Sequence, residues 1–185
     1  MPSLDTTWLE RHVPFAGDVG HRADRPDLHG ELDGIASAIG VALRQLHEVD
    51  PTGSGLPTGW EHLEQRVAAN QADLDVGDLP EPYCRYSVER LVELWRQGRP
   101  EVEDLVVCHG APSLGNLRMT AGAVTGMTEW GHACVVDRHF DLAIVQRSLH
   151  YDLGPAAVFG FYEGYGADPD LVRLDHFVLA SLLIG

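Results

Sequence analysis

The sequence predicts a mostly helical α+β domain built around a small β element. Apolar residues recur at three- and four-residue intervals in several segments, as they do on the buried face of a helix. Between these segments, "DLVVCHG" is a short apolar run, and "NLRMT" and "AVTGMTEWG" are strand-like segments joined by Ala-Gly, a pattern typical of a β-hairpin. With 185 residues, 44% of them hydrophobic, the chain is long enough for one well-buried core.

Capping signals justify the helices in order. Helices are predicted near residues 33–48, 58–72, 87–97, 138–152 and 168–183. Thr58 and Glu61 form a T-x-x-E capping box at the start of the second. Ser87 is expected to cap the third helix and Asp168 the last, and Pro155 suits the first turn of a further helix between them.

The first 30 residues differ from the rest in composition. They are rich in Asp, Arg, His, Gly and Pro without a clear period, so we expect residues 1–30 to be an irregular lead-in and residues 31–185 to form the domain. No secretory signal pattern and no apolar run of 18 residues is present, so no membrane span is expected. Three cysteines without a C-x-x-C pattern are typical of reduced thiols. These features favour a cytoplasmic protein.

The charge balance is strongly acidic. The 28 acidic residues outnumber 13 basic residues, all of them Arg, and the net charge is −15. Nucleic acid is therefore not an expected partner, because a phosphate backbone requires a basic surface. A surplus of carboxylates attracts cationic small molecules, although the same charge is also explained by solubility alone. The sequence indicates no oligomeric state.

One stretch carries the spacing of a phosphoryl-transfer site. His109 is followed by Asn116 seven residues later and by Glu129-Trp130-Gly131 after the predicted hairpin. Kinase catalytic loops follow the pattern H-x-D-x-x-x-x-N, in which the Asp is the base and the Asn binds Mg²⁺, and a later D-x-G Asp holds the metal. Ala111 stands at the place of that base, and Glu129 at the place of the D-x-G Asp.

A wider resemblance covers roughly residues 33–180. The stretches "DLVVCHGAPSLGNL" and "GAVTGMTEWGHACVVDRHFDLAIVQRSL" resemble the aminoglycoside 3′-phosphotransferase family, with its patterns V-x-H-G-D-x-x-x-x-N, G-x-I-D-x-G and D-R-x-x-D-L-A. The resemblance implies a protein-kinase-like C-terminal lobe in which a small β-hairpin carries the site. It also implies that the N-terminal nucleotide lobe of the family is missing from this chain.

The resemblance implies roles for individual residues. Ala111 occupies the position of the catalytic Asp, and His109 and Arg138 belong to the catalytic group. Asn116 and Glu129 are the implied ligands of Mg²⁺ and, through it, of ATP.

The same resemblance implies roles for two further groups of residues. Asp141, like Arg138, matches a residue that organises the site. The acidic loop around Asp78 and Glu81 lies where the family binds its cationic antibiotic, so an aminoglycoside is the implied small-molecule partner.

Departures from the family pattern weaken the expected activity. The chain contains no Lys and no G-x-G-x-x-G, and "GSGLPTG" follows a predicted helix, as a plain turn would. We therefore expect weak or absent binding of ATP and Mg²⁺. The predicted function is an aminoglycoside phosphotransferase, an antibiotic-resistance activity, that is inactive or strongly impaired as this chain. The alternative is a non-catalytic, pseudokinase-like protein that uses an acidic cleft to bind a cationic ligand or a partner.

Overall fold

The computed structural model describes residues 7–24 and 32–185 of the chain. The elements follow in the order α1 Thr7–His12, β1 His21–Arg22, α2 Leu32–His47, α3 Gly59–Asn70, α4 Val88–Gln97, β2 Leu105–Cys108, β3 Leu117–Thr120, β4 Ala123–Met127, β5 Cys134–Asp137, α5 His139–Asp152, α6 Ala156–Tyr165 and α7 Leu171–Ile184. The predicted mostly helical α+β fold is confirmed. Within the two described ranges, no helix is both long enough and apolar enough to span a bilayer.

The strands form two small antiparallel sheets. The first has the order β1-β3-β4, and the second pairs β2 with β5 so that Cys108 faces Cys134. The predicted hairpin is confirmed as β3–β4, with Ala121 (φ 50°) and Gly122 (φ 78°) in its turn. Two successive residues with positive φ match the twist of a two-residue hairpin turn, and glycine adopts this conformation at little cost.

The expectation of an irregular lead-in is wrong for the segment that the structure describes. α1 buries Trp8 and Leu9, and β1 adds an edge strand to the hairpin, with His21 opposite Met119. A two-residue strand is too short to show a period, and its partner lies almost 100 residues away, so local pattern gave no signal. Residues 1–6 and 25–31 lie outside the described part, and the domain boundary at residue 30 stays a prediction.

The helix caps were predicted with mixed success. Ser87 caps α4 as expected, accepting a hydrogen bond at 3.3 Å from the backbone N–H three residues on. Thr58 does not cap α3 with its side chain, because its hydroxyl donates to the Leu56 carbonyl oxygen instead. Asp170, not Asp168, caps α7. The proline after Asp168 disfavours helical backbone at that residue and moves the helix start onward.

Two glycines allow helices α2 and α6 to pack closely. A Cβ built on Gly40 would lie 2.2 Å from the Phe161 carbonyl oxygen, and one built on Gly164 would lie 2.0 Å from the Ser37 carbonyl oxygen. Any side chain at either position would push the helices apart. This pair forms one side of the core, and the β2–β5 ribbon packs beside it.

Aromatic rings close the other side of the core. Trp60 of α3 stacks on Trp95 of α4 with ring centroids 4.3 Å apart, and His176 of α7 stacks on Trp60 at 5.7 Å. Arg99 lies over the outer face of Trp60, 4.9 Å from its ring centroid. Burial lowers the pKa of His176 to about 4, so the imidazole is neutral at pH 7 and packs as an apolar ring.

Candidate functional site

The loop from β2 to β3 begins at His109 and is held by one carboxylate. Asp141, in the first turn of α5, is fully buried, and its oxygens accept hydrogen bonds from the backbone N–H groups of His109 (2.7 Å) and Gly110 (2.9 Å). Gly110 has φ of 82°, and a Cβ there would lie 2.0 Å from the His132 carbonyl oxygen, so only glycine fits. The loop is therefore fixed from α5 on one side and from the approach to β5 on the other.

His109 fixes the loop with both ring nitrogens. Its Nε2–H donates to the Thr128 carbonyl oxygen at 2.7 Å, and its Nδ1 accepts from the Ala111 backbone N–H at 3.2 Å. Burial lowers the pKa of this imidazole, which favours the neutral form that this pattern requires. The ring is fully buried with both nitrogens engaged, an arrangement that positions the loop. The catalytic role expected of His109 stays a prediction.

The structure brings Ala111, Asn116 and Glu129 together. Asn116 Nδ2 donates to the Ala111 carbonyl oxygen at 3.0 Å. The Asn116 carbonyl oxygen accepts from the Thr128 backbone N–H at 2.9 Å, and Glu129 follows directly. Glu129 is exposed and has left-handed backbone (φ 64°, ψ 42°), a conformation that costs a non-glycine residue energy and is concentrated at functional sites.

Two side chains of the site carry oxygen atoms of the kind that Mg²⁺ binds. The bond from Asn116 Nδ2 turns the amide so that Oδ1 is left as an acceptor. The Glu129 side chain is exposed to solvent. One amide oxygen and one carboxylate, completed by water and phosphate oxygens, match the ligands that Mg²⁺ takes at phosphoryl-transfer sites. Asn116 and Glu129 are therefore the residues that would hold it.

A buried chain of hydrogen bonds, absent from the sequence-based predictions, supports Asp141 from behind. His47 of α2 donates from Nε2 towards Asp141 Oδ2 at 3.5 Å and accepts at Nδ1 from the Tyr165 hydroxyl at 2.8 Å. Arg138 donates to that hydroxyl at 3.1 Å. His47 lies 94 residues from Asp141, so no local pattern could have indicated this contact. Burial lowers the pKa of His47 and favours its neutral form.

His47, Cys108 and Asp141 also form a buried cluster whose potential ligand atoms lie within 4.8 Å of one another. Such a set could in principle hold a metal. However, burial raises the pKa of the Cys108 thiol and so disfavours the thiolate that a metal requires. Asp141 already accepts hydrogen bonds from the loop with both oxygens. This cluster is better explained as support for the loop.

Arg138 lies away from the loop that it was expected to serve. It follows β5 at the end of the ribbon opposite Ala111, where its guanidinium binds the Asp104 carboxylate through two nitrogens. These hydrogen bonds raise its pKa. Among the described residues, the hydrogen bonds of Arg138 lead to the loop through Tyr165 and His47, as those of a positioning residue would. The catalytic role expected of Arg138 stays a prediction.

Of the two expected substrate-binding residues, Asp78 lies at a cavity and Glu81 lies in an exposed ion pair. Asp78 lines a cavity of about 950 Å³ together with Asp152, Asp175 and Ser113. Ser113 follows Ala111 by two residues in the sequence. Glu81 does not line this cavity and pairs instead with Arg85, four residues on. The substrate-binding role expected of Glu81 stays a prediction.

A smaller pocket lies deeper, against Ala111. Its volume is about 270 Å³, and its lining includes Arg66 of α3 and Arg147 of α5. Ser113 and Arg147 line both this inner pocket and the outer cavity, so the two are adjacent. The sequence gave no sign of this pocket, since its arginines are 81 positions apart and meet only through helix packing.

The segment "GSGLPTG" occupies a turn between two helices. It joins α2 to α3 and docks on β5, where the Val135 backbone N–H donates to the Pro57 carbonyl oxygen at 2.8 Å. A phosphate-binding glycine loop instead joins a strand to its next element, with its N–H groups pointing at the ligand. The residues present here do not fit a cradle for ATP phosphates.

Comparison with protein families matches residues 7–177 to the phosphotransferase enzyme family. An aminoglycoside 3′-phosphotransferase of Streptomyces fradiae is 35% identical over 143 residues, which cover 72% of this chain and 53% of that protein. One from Streptomyces ribosidificus is 31% identical over 170 residues, covering 88% of this chain and 63% of that protein. The chain thus spans between about half and two thirds of the length of these curated relatives.

Solved structures show the same fold. An aminoglycoside-3′-phosphotransferase of type VIII superposes with a TM-score of 0.83 at 26% identity, covering 95% of this chain and 76% of that one. A choline/ethanolamine kinase family protein of Mesorhizobium loti superposes with a TM-score of 0.62 at 20% identity, which shows the fold alone. The chain therefore has a kinase-like fold and belongs to the phosphotransferase enzyme family.

Proposed function

We propose that this chain is the C-terminal lobe of an aminoglycoside phosphotransferase that is inactive or strongly impaired in ATP-dependent phosphoryl transfer to an antibiotic hydroxyl. One observation carries the proposal. Asp141, His109 and Asn116 hold the loop that presents position 111. The residue at this position is Ala111, whose side chain is only a methyl group. Such a site is built to orient an acceptor but has no group to take its proton.

The expected loss of phosphoryl-transfer rate can be estimated from the groups that are missing or altered. A general base contributes about 10²–10⁴-fold to the rate. Phosphate positioning and charge stabilisation contribute most of the remainder in phosphoryl transfer. Mg²⁺, when held by Asn116 and Glu129, would neutralise charge on the phosphate oxygens. Glu129 is one methylene longer than the Asp of the family pattern, which disturbs near-ideal octahedral geometry. With no Lys in the chain, phosphate binding here would depend on arginines.

The outer cavity supports a cationic substrate. Asp78, Asp152 and Asp175 line it, and the chain as a whole has a net charge of −15. Carboxylates facing one cavity attract the ammonium groups of an amino sugar. Tyr151 and Phe159, two of the most exposed aromatic side chains, stand at the same cavity and offer apolar faces to a sugar ring. In a cytoplasmic protein this cavity would meet an antibiotic that has entered the cell.

A second candidate function is non-catalytic binding. The methyl group of Ala111 favours it, because a binding protein needs the cavity and its carboxylates but no base. Under this alternative the chain sequesters a cationic ligand or holds a partner through the acidic cleft. Both candidates predict ligand binding at the outer cavity, and they differ in whether phosphate is transferred.

Calorimetry with kanamycin tests the shared step. Asp78→Asn should weaken kanamycin binding about tenfold, because it removes one charged partner of an ammonium group. Glu81→Gln is the matched control, since that carboxylate lies in the same segment but outside the cavity. Equal affinities for the unmodified chain and for Asp78→Asn would reject the cavity as the substrate site.

A further inference from the structure

The inner pocket beside Ala111 is lined by two arginine side chains, and few opposite charges lie near them. Arg66 lies over the Phe140 ring, 5.6 Å from its centroid, and its Nη1 is enclosed without a hydrogen-bond partner among the described residues. Arg147 donates from Nη1 to the Ser181 hydroxyl at 2.8 Å. Within residues 7–24 and 32–185, Arg147 makes no other hydrogen bond, so its remaining N–H groups are open to a ligand.

Among the described residues, no side chain of the lining is a carboxylate, and its one acidic group is the terminal carboxylate of Gly185. In the described part of the chain, the residues around this pocket are Arg66, Gly110, Ala111, Ser113, Phe140, Ile144, Arg147, Ser181, Ile184 and Gly185. The Asp141 carboxylate acts on Arg66 from outside the pocket, but both of its oxygens are bound to the loop backbone. The outer cavity is acidic, whereas this inner pocket is basic.

Neighbouring groups respond to the same positive charge. The second guanidinium nitrogen of Arg66, Nη2, donates to Nδ1 of His132 at 3.3 Å, which requires a neutral imidazole. Burial first and the Arg66 charge second lower the pKa of His132. Burial also lowers the pKa of both arginines, as expected where a cation lacks a close counter-charge.

We propose that the inner pocket is a binding site for a small oxyanion, either free phosphate or the phosphate group of a monoester, held by Arg66 and Arg147. Guanidinium groups bind phosphate oxygens through paired N–H donors and stay charged when partly buried. Ala111 makes the site possible, because a carboxylate at this position would repel the anion and neutralise the arginines. The proposal goes beyond the proposed function, which concerns a cation in the outer cavity.

Calorimetry with inorganic phosphate, at low ionic strength, tests the site. The unmodified chain should bind with a dissociation constant on the order of 1 mM. Arg147→Met should weaken binding at least about tenfold, while Arg90→Met, at an exposed arginine of α4, should leave it unchanged. Ala111→Asp should also weaken binding at least about tenfold, whereas the uncharged and similarly shaped Ala111→Asn should not.

A second arm with glucose 6-phosphate distinguishes the sources of the anion. Stronger binding than that of inorganic phosphate, lost in Arg147→Met, would identify a monoester as the better ligand, and equal binding would identify phosphate alone. Circular dichroism checks that each variant is folded. Failure of the unmodified chain to bind either compound, or binding that Arg147→Met and Ala111→Asp leave unchanged, would overturn the proposal. Kanamycin binding is a separate readout, and its loss would overturn only the proposed function.

Discussion

The Asp141 carboxylate accepts a hydrogen bond from the backbone N–H of His109 at 2.7 Å, and this contact joins α5 to the loop that carries Ala111. A second bond from Gly110 uses the other oxygen. Because Asp141 is fully buried, neither N–H can turn to water when the acceptor is lost. Both hydrogen bonds therefore hold the loop against α5.

Asp141→Asn should lower the free energy of unfolding by about 1–3 kcal/mol. The amide keeps one acceptor oxygen but places an NH₂ group against a backbone donor, which leaves a buried N–H unsatisfied. Urea denaturation measures the effect. Asp73→Asn, at an exposed site, is the control and should change stability by less than about 0.5 kcal/mol. A loss no larger than that of the control would mean that the loop does not depend on this carboxylate.

Ala111→Asp should strengthen binding of Mg²⁺ or of kanamycin but restore little phosphorylation. The new carboxylate would stand near Asn116 and Glu129, and a second like charge raises one of the two carboxyl pKa values unless a cation is bound. Calorimetry with Mg²⁺ and with kanamycin is the measurement, and Ala111→Asn is the uncharged control. If neither ligand binds more tightly, the frame around position 111 is not the one that we describe.

ATP should bind weakly or not at all. The chain contains no Lys, and its glycine-containing segment joins two helices and does not cover a phosphate. Calorimetry with ATP and Mg²⁺ should give no dissociation constant tighter than about 10 μM. Affinity in that range or better would show that the chain has a nucleotide site that these residues do not explain.

His176 should make the protein less stable as the pH falls from about 6.5 to about 4. Its folded pKa is lowered to about 4, so in this window the unfolded state binds more protons and acid favours unfolding. His176→Phe keeps the stack on Trp60 and removes the titration, so its Tm should fall less over the same range. Identical Tm profiles for the two proteins would contradict the assignment. Protonation of carboxylates affects both proteins and cancels in the comparison.

Much of the fold could be predicted because its signals are local. The hairpin turn at Ala121-Gly122 and the cap at Ser87 depend on a few neighbouring residues. Those signals placed six helices and the hairpin within a few residues of their positions. The strand His21–Arg22 escaped prediction because it is defined only by a partner far along the chain.

The candidate site was predictable only where its motif is contiguous. The spacing of His109, Asn116 and Glu129 was visible in the sequence. In the structure, Thr128 links His109 and Asn116 by backbone hydrogen bonds, and Glu129 follows it directly. The support from His47 and the inner pocket with Arg147 depend on helix packing, which leaves no periodic trace in the sequence.

Transfer of phosphate from ATP to kanamycin by the unmodified chain tests the central claim most directly. The loop is intact but position 111 has no base, so we expect a rate at least about 10²-fold below that of a relative with Asp at this position. Radiolabelled ATP with Mg²⁺ and the Streptomyces fradiae protein as positive control gives that comparison. A rate indistinguishable from background supports the account. Turnover comparable to the control would show that catalysis does not need a base at Ala111 and would contradict it.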